Sequence, residues 1–172
     1  MESVMISILP KWCGLIAHRK KTVEVRKTKP KIDTPFKCYI YCTEGDALAY
    51  PCDNNPRFAI HRTRNGSLLG RQMTAEEREH SDHLYANSKV IGEFICTRIT
   101  EVKADNIIMA YYNNNPQETC LTDDELRRYA NGRKLYYWYI ENLVIYDTPK
   151  ELSEFGLTRP PQSWCYVKEL TK

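Results

Sequence analysis

Three charged residues in the run Arg19-Lys20-Lys21-Thr22-Val23-Glu24-Val25-Arg26 are spaced so that they can act together. In an extended strand, residues two apart share a face, so Glu24 and Arg26 can pair, and the carboxylate then aims the guanidinium at an acceptor. Lys21, just before the strand, adds a mobile ammonium suited to phosphate or an exocyclic oxygen. On an open surface such a pair contributes little. Beside a cleft it becomes a recognition device. The chain is also rich in tyrosine and tryptophan, with Trp12, Trp164 and Tyr166 the rings best placed to line such a cleft. Trp164 and Tyr166 share one strand face, apart from Cys165 and Val167. A basic groove with aromatic rings holds unpaired bases by stacking and phosphate contact. The expected binding set is therefore Lys21, Glu24, Arg26, Trp12, Trp164 and Tyr166, and the expected partner is single-stranded RNA or a nucleotide.

The elements that must position these residues follow from periodicity and punctuation. Val4 to Leu9 reads as a strand, and Pro10 to His18 as a short helix with proline in its first turn. Thr22 to Thr28 alternates, with Val23 and Val25 on one face and Thr22, Glu24 and Arg26 on the other. Phe36 to Thr43 is a strand, and Lys89 to Val102 a long one, bent or bulged near Gly92. Thr122 caps a helix to Tyr129, with Asp123 and Asp124 at its positive end and Gly132 at its stop. Leu135 to Tyr146 is expected to form a strand pair folding back near Glu141 and Asn142, and Ser163 to Leu170 the last strand. Residues 44–87 break the pattern with prolines, asparagines and a charged helical piece around Thr74 to Tyr85. They hold too few apolar residues for a core of their own. The expectation is one domain over residues 1–172 with an insertion at 44–87.

The charged run resembles the signature of the ASCH family, a branch of the PUA-like superfamily, whose pattern is G-x-K-x-x-E-x-R. Lys21, Glu24 and Arg26 match it, and Arg19 stands where the family has glycine. The order of elements, ending in a strand after Pro160-Pro161-Gln162-Ser163-Trp164, is similar as well. The resemblance implies an α+β fold: a small, mostly antiparallel PUA-like β-barrel with short flanking helices. It also implies a choice of functions. Some relatives are amidohydrolases acting on N4-acetylcytidine-type nucleosides through a threonine, a lysine and a glutamate; others look like ribonucleases or RNA binders. Here Glu24 occupies the threonine position, Lys21 is kept, and Glu93 is available as the acid. The catalytic alternative is thus Lys21, Glu24 and Glu93, with no hydroxyl nucleophile in place. Binding without robust chemistry is the first expectation, hydrolysis the second, and a protein–protein surface formed by the insertion and tyrosines the third.

Other chemistries find less support. The chain of 172 residues carries a net charge of only +3, but its bases concentrate between Lys11 and Lys37. Seven cysteines are scattered, without a leader sequence, which suggests reduced thiols in a cytoplasmic monomer. Cys38 and Cys42 would lie about 13 Å apart on a strand, too far to share a zinc ion. His80 and His83, with His61 or Cys52, are the weaker metal alternative. No metal, cofactor or membrane segment is expected.

Overall fold

The computed structural model describes residues 2–44, 47–50, 60–63, 67–68, 71–72, 87–107 and 116–169. Its strands in chain order are β1 (Glu2–Ile8), β2 (Val23–Arg26), β3 (Phe36–Cys42), β4 (Ala47–Tyr50), β5 (Ile60–Thr63), β6 (Ser67–Leu68), β7 (Arg71–Gln72), β8 (Lys89–Val102), β9 (Leu135–Lys150) and β10 (Trp164–Lys168). The helices are α1 (Pro10–Ala17), α2 (Pro116–Thr119) and α3 (Asp123–Ala130). None is long and apolar enough to cross a membrane.

Six strands form the main sheet in the order β10-β1-β3-β8-β9-β2. Only β1 and β3 run parallel; the other neighbours are antiparallel. The ends of that order, β10 and β2, do not pair, so the expected closed barrel is not formed. The fold is α+β around an open, mixed, mostly antiparallel sheet. The local reason lies in β2, which ends at Arg26 and runs into Lys27-Thr28-Lys29-Pro30. Proline has no amide to donate to a ladder. Side chains bridge the gap instead. Arg26 Nη2 donates to the Ser7 carbonyl at 2.5 Å, and Trp164 Nε1 to Thr28 Oγ1 at 2.9 Å. The Lys31 amide donates to the Tyr166 hydroxyl at 2.7 Å.

Alternation decides what each face buries. Val4, Ile6, Ile8, Phe36, Cys38, Ile40, Tyr136 and Trp138 face one way and pack against Cys13, Ile16 and Ala17 of α1. On the other face, Val23, Val25, Leu135 and Tyr137 meet Leu126 and Ala130 of α3. Met5 and Tyr39 there meet Phe155. The Tyr136 to Tyr139 run therefore serves both faces, as its alternation requires. Cys13, Cys38, Cys42 and Cys96 are buried free thiols, acting as small apolar groups. Burial pushes the Cys13 and Cys38 thiols well up and Cys96 up to about 12. Cys120 and Cys165 are half-buried free thiols, and Cys52 lies outside the described residues.

The 44–87 segment contributes a separate four-stranded sheet, β4-β5-β6-β7, with β4 and β5 lying against α1. The helix expected at Thr74 to Tyr85, with His80 and His83, lies outside the described residues. Leu135 to Tyr146 is also not a hairpin. It lies within one continuous strand, and Asn142 adopts φ +49°. Glu93 pairs with Val144 but Ile95 with Glu141, so β9 carries one extra residue there. The polar Glu141-Asn142 pair thus marks a bulge, for which left-handed asparagine is suited.

The register also shifts between Val90 and Gly92, where β9 crosses closely. A Cβ on Gly92 would sit 2.3 Å from the Val144 carbonyl oxygen and 3.1 Å from the Ile145 side chain. Backbone cannot yield as a side-chain tip does. Gly92→Ala is therefore expected to lower unfolding free energy by about 1–3 kcal/mol, as overpacking does. Urea denaturation checks this, and an unchanged midpoint would refute the close approach.

Candidate functional site

The charged run is positioned by α1 at one end and β9 at the other. α1 begins with proline and ends in a left-handed turn: Arg19 has φ +56°. Its amide donates to Ile16 O at 2.8 Å and that of Lys20 to Leu15 O at 2.9 Å, which satisfies the helix's last carbonyls. That conformation favours glycine and explains physically why a glycine suits this motif position. Arg19 tolerates it at a cost, with Nη2 3.4 Å from the Leu143 carbonyl. The chain then enters β2, whose register sets Glu24 opposite Trp138 and Arg26 opposite Tyr136. Both partners belong to the α1-side core, so the two charges point to that side. The valines take the other face, as the alternation requires.

Lys21, Glu24 and Arg26 do come together. Lys21 Nζ lies 3.4 Å from Glu24 Oε2, and Arg26 Nη2 lies 3.1 Å from Glu24 Oε1. Lys21 also donates to the Thr119 carbonyl at 2.7 Å, which ties the motif to the end of α2. This is not a surface pair: the side chains of Lys21, Glu24 and Arg26 are 2%, 7% and 13% exposed. Desolvation makes such charges costly unless they satisfy one another. Two polar atoms are left over. Glu24 Oε2 accepts no hydrogen bond from the described residues, and Arg26 Nε donates none.

Both residues line a cavity of about 750 Å³ where β1 and β3 end and β8 begins. Ser7, Leu9, Trp12, Tyr41, Thr43, Leu121, Tyr129 and the Pro160-Pro161-Gln162 turn supply much of the remaining wall. Trp12, half-buried on α1, has Lys11 Nζ 4.4 Å and Lys21 Nζ 5.3 Å from its ring centre. Trp164 and Tyr166 are not part of this wall. They meet edge-to-face at 5.5 Å, and Trp164 leans on Trp138 at 6.2 Å. Their polar atoms serve the bridge between the sheet edges.

Glu93 stands elsewhere again. It pairs across from Tyr39, accepts from Tyr146 Oη at 2.6 Å, and lies 3.2 Å from Lys37 Nζ. Tyr39 belongs to the face opposite Trp138, so Glu93 is not brought to Lys21 and Glu24. Thr22 is held by main-chain bonds to Glu118 and Ile140 and does not line the cavity. Among the described residues, no cluster of histidine, cysteine and carboxylate could hold a metal. Tyr129, Tyr41, Thr43 and the diproline turn were not anticipated. Their only signal was position: the turn precedes the closing strand, and Tyr129 lies near a helix end.

Two stability effects follow. Arg19→Gly removes the left-handed penalty and is expected to raise unfolding free energy by about 1 kcal/mol. Glu24→Gln leaves Lys21 buried without its counter-charge and should cost roughly 3 kcal/mol. The double variant Lys21→Met/Glu24→Gln should recover much of that loss. Denaturant titration of these three variants and of Lys21→Met alone checks both; strict additivity of the Lys21 and Glu24 changes would contradict a shared buried network.

Three solved structures share this architecture. ASCH from Zymomonas mobilis is 18% identical with a TM-score of 0.62, over 97% of this chain and 88% of that one. A tyrosine-to-phenylalanine variant of the same protein is 17% identical with a TM-score of 0.62, over 97% and 91%. A serine-to-alanine variant is 16% identical with a TM-score of 0.57, over 97% and 89%. No protein-family model and no curated protein matches the chain. The likeness runs through nearly the full length of each chain, and this protein has the fold of the ASCH proteins.

Proposed function

We propose that this chain is a single ASCH-type domain, with an insertion at 44–87, that binds RNA or a nucleotide by taking one base into the cavity beside Glu24. The observation that carries this reading is the buried carboxylate itself. Glu24 is fixed between two cations and lines, together with Arg26 and Trp12, a cavity of about 750 Å³. That size suits a small organic ligand. Arg26, paired with it at 3.1 Å, lines the same cavity. A heterocycle with an N–H or amino group beside a ring nitrogen or carbonyl complements that pair, and Trp12 offers it a stacking surface.

The charge balance favours the base over the phosphate as the part that enters. Lys21 and Arg26 in the wall are offset by Glu24 and Glu44. A polyanion gains little from a cavity without net charge. The excess of bases lies outside, in Lys11, Lys20, Lys27, Lys29 and Lys31, all exposed. Hydrolysis is the weaker reading, because Glu24 stands where the hydrolytic relatives have threonine and Glu93 is engaged with Lys37 and Tyr146.

The test is calorimetric titration with the four ribonucleosides and their 5′-monophosphates. At least one is expected to bind saturably, with Glu24→Gln weakening it about tenfold or more through loss of a charged acceptor. Trp12→Ala should weaken the same ligand by a similar factor. Absence of saturable binding by every nucleoside and nucleotide, or wild-type affinity in both variants, would refute the reading.

A further inference from the structure

We infer that Tyr129 and Lys27 form a second subsite at the cavity mouth, for a nucleotide adjoining the base in the cavity, so that the ligand is a single strand and not a free nucleoside. This inference rests on the reading of the cavity as a base pocket and extends it outward. Tyr129 lines the cavity yet is 36% exposed, one of the few large apolar side chains left open to solvent among the described residues. Leu9, 54% exposed, is another and lines the same cavity. Apolar surface concentrated at a pocket rim marks a place where something docks.

The Tyr129 ring is not isolated. Lys27 Nζ stands 4.8 Å from its centre. Lys27 follows directly on Arg26, so the chain that carries the inner guanidinium also carries this outer ammonium. The ring is held on α3, whose capping box and buried Leu126 and Ala130 anchor it to the sheet. Only its far edge is free.

A ring and an ammonium held this way match one nucleotide: the ring takes a base face and the ammonium takes its phosphate. The order of charges along the path agrees. Inside, Lys21 and Arg26 are offset by Glu24 and Glu44, whereas Lys27 and Lys11 at the rim have no carboxylate bound to them among the described residues. A neutral base belongs within and the anionic backbone along the rim. Stacking of a base exceeds the attraction of one exposed lysine for a ring, so the ammonium is free to turn from the ring to the phosphate. Leu126 and Ala130 of the same helix supply its packing against the sheet.

The test compares the four ribonucleosides with four RNA trinucleotides in which each is the central base between adenosines. The readout is the ratio of trinucleotide to nucleoside affinity for the preferred base, by calorimetry at low salt. Wild type should show a ratio of about ten or more. Tyr129→Ala should bring it to within about threefold of unity, Tyr129→Phe should preserve it, and Lys27→Ala should lower the salt slope by about one. A ratio near unity in wild type overturns the second subsite while leaving the base pocket standing. So does a full ratio in Tyr129→Ala. If neither nucleosides nor trinucleotides bind, the pocket itself is absent and this subsite falls with it.

Discussion

The structure depends on keeping three charges out of water beside one another. Lys21, Glu24 and Arg26 sit at the junction of α1, α2, β2 and β1, and each reaches a different neighbour. Lys21 reaches the last carbonyl of α2, Arg26 reaches across to β1, and Glu24 neutralises both. None of these bonds is strong alone after desolvation is counted. Together they fix the edge strand at a place where no backbone ladder continues. The arrangement also leaves Glu24 Oε2 with only its ion-pair contact to Lys21, and Arg26 Nε without an acceptor among the described residues, both atoms being buried. Groups so buried are normally satisfied, and those that are not point to local strain, a chemical role or a bound water or ion.

That logic separates two roles for the aromatic residues. Trp12 and Tyr129 line the cavity and each carries a cation against its ring. Trp164 and Tyr166 use their polar atoms to hold loop residues Thr28 and Lys31, and their rings on each other and on the core. The same residue types line a cavity in one place and serve as fastening in another. The difference is set by what their N–H or O–H meets.

How much of this was legible in the residues varies with the range of the interactions. The two-residue spacing of Glu24 and Arg26 announced a shared face, with Lys21 at the strand's entry, and strand alternation put the valines opposite. Local rules govern both. The Thr122 cap and the break at Gly92 were likewise written into short stretches. Openness of the sheet was not, because it depends on whether β2 meets β10, strands far apart in sequence with no local signal for pairing. The Glu141-Asn142 pair was misleading for a related reason. A polar pair within a strand suits a tight turn or a bulge equally well, and only the partner strand β8 decides between them. The wall of the cavity needed the whole fold, since Leu9, Thr43, Tyr129 and Pro161 are brought together from four separate connections. Trp164 shows the opposite error: a strand face was readable, but not which side of the molecule that face would serve.

The bridge between β2 and β10 also bears on how copies of this protein behave toward one another. Two unpaired sheet edges present rows of free amides and carbonyls, a template on which foreign strands can add. Here Trp164 and Tyr166 of β10 hold Thr28 and the Lys31 amide in the stretch that follows β2, while Arg26 of β2 reaches the Ser7 carbonyl of β1. The start of β2 is further covered where the Thr22 amide donates to the Glu118 carbonyl. The chain after β2 is thereby fastened along β10. The contacts that hold the charged residues of the cavity wall in place also fasten the loop that follows the edge strand, so resistance to intermolecular strand addition and integrity of the cavity share one set of side chains.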